Sequence, residues 1–220
     1  MIQYIPQMNR RKFLQTTAIS AVGMGTLSLL PLTTLAHADP GDEISIIGPR
    51  EGYSPHIGIM VSMMDWIRES VIRATKDLTQ AELDFQLDPK SNSIGALLLH
   101  LAATDVIYQD KTFYGVPKGF SEANKKWIVP MSLGEEARKQ IKGNNLDYYL
   151  SALQEVREKT LAEFRKRDDK WFAEVDPSGF GKKPTNNFCK WFHVCEHEAN
   201  HRGQITMIKK RLPGKDSGND

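Results

Sequence analysis

Four stretches of this chain repeat apolar residues at intervals of three and four, and that spacing leaves little choice but helices packed side by side. The first runs from Ile57 through Val61, Met64, Ile67 and Val71 and is predicted to end near Thr75. The second carries Ile94, Leu97, Leu98, Leu101 and Tyr108, with Ser91 or Ser93 as its cap and Gly115 near its stop. Leu146, Tyr149, Leu150, Leu153, Val156 and Phe164 mark a third, and a fourth spans roughly Asn187 to Leu212 before Pro213-Gly214 ends it. Thr79-Gln80-Ala81-Glu82 adds a short helix start, and Asp88-Pro89 breaks the chain after it. Between the second and third helices, Val116 to Asn144 holds Pro117, Gly119, Pro130, Gly134 and Gly143, with a short helix expected around Glu135 to Ile141. So long a link suits a crossover of the bundle better than a hairpin. With no strand pattern or internal repeat, the reading is all-α: a four-helix bundle over residues 55–212, with antiparallel or crossover connections.

The ends read differently. Asn9-Arg10-Arg11-Lys12-Phe13-Leu14, the modestly apolar run Ala18 to Leu35 and the small-x-small triplet Ala36-His37-Ala38 together resemble a twin-arginine export signal over residues 1–38. Gly23, Gly25, Pro31 and several Ser and Thr residues make that run too polar for a stable membrane span. The chain is accordingly expected to be exported to an extracytoplasmic or periplasmic space. Residues 39–54, rich in Gly and Pro, read as a linker, and 213–220 as a disordered tail. Without Arg10, Arg11 and Lys12 the 29 basic residues fall to 26, one below the 27 acidic ones. No basic surplus remains to neutralise phosphates, so nucleic acid is not an expected partner. Cys189 and Cys195 lie about 9 Å apart along one helix and about 120° around it, too divergent to bridge each other.

The chemistry sits on the last helix, where His193, His197 and His201 follow one another at intervals of four. Side chains at that spacing share a helix face, so two imidazoles can converge on one ion. Val194, Ile205 and Ile208 define the apolar stripe. His201 falls at its centre, His197 about 40° away and His193 about 80° away, at the edge. His100, among Leu97, Leu98 and Leu101, is aimed at the same interior. The predicted ligands of a divalent metal are therefore His100, His197 and His201, with coordination positions left open to water or substrate. The string His197-Glu198-Ala199-Asn200-His201 also spells the HExxH of zinc proteases. That reading requires a third ligand downstream, where no His or Glu remains, and Glu198 is expected to be an exposed helical residue. Thr104, Asp105, Glu196 and Gln204 are candidates to orient the ligands, Gln204 foremost.

The segment Ser93-Ile94-Gly95-Ala96-Leu97-Leu98-Leu99-His100-Leu101, together with His193-Val194-Cys195-Glu196-His197-Glu198-Ala199-Asn200-His201-Arg202-Gly203-Gln204-Ile205, closely resembles the DinB/YfiT-like family over roughly Pro55 to Leu212. The resemblance implies an up-down-down-up bundle with a three-histidine site for zinc, nickel or another divalent ion, and it aligns the family's ligands with His100, His197 and His201. Its members suggest a metal-dependent hydrolase acting on a small molecule, and, as alternatives, a thiol S-transferase or isomerase, or a non-catalytic metal-binding or sensing module. Homodimers are common among such bundles. Arg202, pointing away from the ligand face, is expected to serve an ion pair within the bundle.

Overall fold

The computed structural model describes residues 43–180 and 183–214. The leader read at residues 1–38 and the last residues, 215–220, lie outside the described part.

All four long helices form where the apolar stripes place them: α1 (Pro55–Thr75), α3 (Ile94–Thr112), α6 (Leu146–Phe164) and α8 (Asn187–Lys209). Local chemistry sets their starts. Ser93 Oγ accepts from Ala96 N, Asn145 Oδ1 from Tyr148 N and Asn186 Oδ1 from Cys189 N, each satisfying one of the backbone donors that a helix leaves over at its first turn. Thr79 and Glu82 close a capping box on α2 (Gln80–Asp84). The first helix has Pro55 in its opening turn and takes its cap from a distance. Asp169 Oδ1, on the short helix α7 (Asp169–Ala173), accepts from His56 N at 3.0 Å and Ile57 N at 3.3 Å, and from Ser54 Oγ at 2.6 Å.

Side-chain pairs between helices give the directions. Along α1 and α8, Met60 meets Cys195, Arg68 meets Glu198 and Lys209 reaches the carbonyl of Ala74, so these two run parallel. Gly95 meets Tyr149, Asp105 meets Arg157 and Gln109 meets Thr160, so α3 and α6 are parallel as well. His100 faces His197 while Tyr108 faces Trp191, so α3 and α8 are antiparallel. Taken in chain order the helices run up, down, down and up. Because α3 and α6 point the same way, the chain between them must travel back along the bundle. It does so through a 3₁₀ turn (Glu122–Trp127), α4 (Ile128–Ser132) and α5 (Gly134–Gln140). Only the last of these was marked by the sequence.

The expectation of no strands is corrected. Val175–Phe180 (β1) and Lys183–Asn186 (β2) pair antiparallel just before α8, with Val175 opposite Asn186 and Asp176 opposite Thr185. Pro177, Gly179 and Pro184 hid them, since such residues weaken any strand pattern, and the register is indeed irregular between Asp176 and Phe180. Ahead of α1, Gly48 N donates to Ser62 Oγ at 3.1 Å, and a Cβ on Gly58 would stand 2.5 Å from Arg50 N.

Two apolar clusters fill the bundle. One is built on Leu97, Leu98, Leu101, Leu153, Ile205 and their neighbours, the other on Met60, Met64, Phe164, Phe172 and Trp191. No described helix is long and apolar enough to cross a membrane.

Gly95 shows how tightly α3 and α6 are fitted. An added methyl would lie 2.6 Å from both Cζ and Oη of Tyr149, a side chain with no exposed surface. Gly95→Ala is therefore expected to lower stability by about 1–3 kcal/mol, read by urea denaturation, despite alanine's better helix propensity. A stabilised variant would show that Tyr149 can swing aside.

Candidate metal centre

His100, His197 and His201 come together in the interior between α3 and α8. Their nearest ring nitrogens all lie within 4.8 Å of one another. His197 Nε2 is 3.2 Å from His100 Nε2 and 3.1 Å from His201 Nε2. Nitrogens bound tetrahedrally to one ion at ordinary zinc–imidazole distances would be about 3.3 Å apart, so the spacing fits a shared cation. His100 is buried, while His197 and His201 are half-buried and leave one side open toward solvent.

The outer ring nitrogens fix the tautomers. His100 Nδ1 lies 3.1 Å from the carbonyl oxygen of Pro130, which can only accept, so Nδ1 carries the proton and Nε2 presents a lone pair. His201 Nδ1 donates likewise to Gln204 Oε1 at 2.8 Å. Two lone pairs thus face His197 Nε2. One proton on His197 could serve one of them, whereas a cation serves all three rings. His197 Nδ1 is buried and has no partner among the described residues.

Burial is the main cause that holds all three histidines below their ordinary pKa. His197 is pushed down to about 3, with further repulsion from His201, His100 and His193. The rings are therefore neutral near pH 7, the state a metal requires. Three imidazoles suit zinc, nickel, copper or iron, and three ligands on two helices leave positions for a further molecule.

The other candidates separate. Gln204 lies beside the cluster, its Oε1 bound to His201. Glu196 Oε2 accepts from His193 Nδ1 at 2.9 Å, and the His193 ring stands at the rim, 5.8 Å from that of His197. Thr104 Oγ1 donates to the carbonyl of His100. Arg202 makes no ion pair with the described residues, against expectation, and its Nε is buried with no hydrogen-bond partner among them. Cys189 and Cys195 are free thiols.

Glu198 corrects the sequence reading most sharply. It is 1% exposed and lies against two arginines. Arg68 Nε donates to its Oε1, and Arg157 Nη2 to its Oε2 at 2.9 Å. Arg157 Nε also binds Asp105 Oδ2 at 3.0 Å, and Arg68 Nη2 stands 3.9 Å from the same oxygen. Full burial alone would raise the Glu198 pKa, but the two guanidinium groups outweigh it and hold the carboxyl below its usual value. A carboxylate so engaged cannot act as a protease's general base. The sequence did carry a hint: Arg68 and Arg157 both interrupt apolar stripes, beside Ile67 and Val156.

The fold and the site define a helical bundle whose two antiparallel inner helices present three convergent imidazoles. The model of the mycothiol-S-transferase family matches residues 59–214, and the chain belongs to that family, a branch of the DinB-like superfamily. Two solved structures share the fold at 15% identity. A conserved protein from Enterococcus faecalis aligns with TM-score 0.53 over 71% of this chain and 96% of its own. An uncharacterised protein from Escherichia coli UTI89 aligns with TM-score 0.50 over 72% and 95%. Among curated proteins, none shows significant sequence similarity to this chain.

Proposed function

We propose that this protein is a metal-dependent thiol S-transferase that joins a low-molecular-weight thiol of the mycothiol type to a small electrophile. The family match across residues 59–214 carries this reading, and it favours thiol transfer over the hydrolysis suggested by the sequence alone. His100, His197 and His201 would hold the ion, zinc or nickel among the metals that imidazole suits, and Pro130 and Gln204 would keep two of the rings turned toward it. When bound, a divalent ion supplies Lewis acidity that lowers the pKa of a coordinated thiol. Transfer would form a C–S bond between the thiol sulfur and an electrophilic carbon as the leaving group departs with its electron pair, and the thiol proton would pass outward. His193, half-buried at the rim with its Nδ1–H bound to Glu196, stands where that proton can be taken up.

The test is turnover of an alkylating electrophile by zinc-loaded protein, with and without mycothiol, beside His197→Ala. Consumption of electrophile that requires both the thiol and His197 is the expected result. Release of product without thiol would replace this reading by hydrolysis. Metal bound without turnover in either case would leave a binding module.

A further inference from the structure

Beside the histidine site lies a second set of buried groups that the transfer chemistry does not use. Arg68, Asp105, Arg157 and Glu198 are all under 10% exposed, and each comes from a different long helix. Their distribution is ordered. The two helices that bear metal ligands each supply a carboxylate: Asp105 one turn beyond His100 on α3, and Glu198 next to His197 on α8. The two helices without ligands each supply a guanidinium. Arg157 of α6 bonds both carboxylates, at 3.0 and 2.9 Å. Arg68 of α1 bonds Glu198, stands 3.9 Å from Asp105, and donates through Nη1 to the carbonyl of Leu153 at 2.9 Å.

Each cation therefore ties the His100 helix to the helix of His197 and His201. Apolar contacts between α3 and α8 tolerate sliding and rotation, whereas planar guanidinium forks accept partners in few directions. A rotation of α8 that moved His197 away from His100 would also pull Glu198 off both arginines.

We propose that this quartet is a positioning device, which fixes the spacing and rotation of the two ligand-bearing helices and so sets the affinity and geometry of the metal centre. Arg68, Asp105, Arg157 and Glu198 lie outside the group of converging nitrogens. They act through His100, His197 and His201, and the inference rests on reading those three as metal ligands.

Cobalt(II) is the probe, since its visible spectrum reports ligand geometry and titration gives its dissociation constant. Two quartet variants are compared with wild type: Glu198→Gln, and the paired change Asp105→Val with Arg157→Met, which removes one cation with one anion and leaves Arg68 and Glu198 to balance each other. Leu83→Ala, at a fully buried position on α2, serves as a destabilised control. The quartet variants are expected to bind cobalt about 10–100-fold more weakly with an altered spectrum, while the control keeps wild-type affinity and spectrum. Should Glu198→Gln fail to fold, the paired variant decides. Wild-type affinity and spectrum in the quartet variants would overturn the inference, as would equal weakening in Leu83→Ala. Failure of the wild-type protein itself to bind cobalt would instead remove the metal reading, and this inference with it.

Discussion

Arg157→Met should cost about 3–5 kcal/mol of unfolding free energy at neutral pH, the range observed when one partner of a buried ion pair is removed. The substitution keeps most of the side-chain volume, so lost packing is a small part of the effect. What remains is the cause: Asp105 and Glu198, with 0% and 1% of their surface exposed, would share the single cation of Arg68. One negative charge would be left buried and uncompensated. The pH dependence follows from the direction of the Glu198 shift. Its folded pKa lies below the unfolded value, so the pairing stabilises the wild-type protein above the ordinary carboxyl pKa and loses that contribution as the pH falls through the acid range. In the variant the carboxyls can relieve the imbalance by taking up a proton. The gap between wild type and Arg157→Met should therefore be widest near pH 7.5 and narrow toward pH 5, as read by urea denaturation at both. A gap under about 1 kcal/mol at pH 7.5 would show that the charge is not truly desolvated. That lower figure is what an exposed pair such as Lys159–Glu155, each about 60% exposed, is worth at most.

Much of this architecture was legible because it depends on short-range periodicity. The apolar spacing places α1, α3, α6 and α8 nearly to their ends, Ser93 is one of the two caps offered for α3, and the length of the Val116–Asn144 link points to a crossover. The same logic found the three imidazoles, since a polar ring in the middle of an apolar stripe has to be explained. What escaped was long-range. Glu198 looked like a solvated glutamate because the arginines that neutralise it are 130 and 41 residues away, and pairing at such distance leaves no periodic trace. Asp105 was noticed beside His100 but could not be matched to Arg157. The carbonyl that orients His100 belongs to Pro130, in a link whose path the sequence does not specify. The β1–β2 hairpin was hidden by its own prolines and glycines. A residue out of place in a local pattern draws notice on its own, whereas one whose meaning lies in a distant partner does not.

His197→Ala should abolish stoichiometric metal, with a loss of affinity well beyond the about 10–100-fold typical of groups that merely orient ligands. His197 is the middle ring of the three, within 3.2 Å of both others, so its removal leaves His100 and His201 without the nitrogen that joins them. Because it is half-buried and relieved of mutual repulsion, alanine there should leave the bundle folded, as circular dichroism can verify. The wild-type site should also resist acid better than a cluster of exposed histidines. Burial lowers all three pKa values, His197 to about 3, so protons compete weakly for the ligands. Affinity measured by competition with a chelator of known pH dependence should be nearly flat from pH 8 to pH 6.5. The same shifts have an opposite consequence for the metal-free protein. Its folded state resists protonation while the unfolded chain takes up protons, so stability from the neutral cluster is full above about pH 6.5 and declines as the pH drops below that value. Metal and acid thus act on the same three nitrogens from opposite sides, and since stabilisation by a bound ion follows its affinity for the folded state, the ion should raise the melting temperature by similar amounts at pH 8 and pH 6.5. A thermal shift that falls steeply between pH 8 and pH 6.5, or metal retained by His197→Ala, would place the ion somewhere other than between α3 and α8.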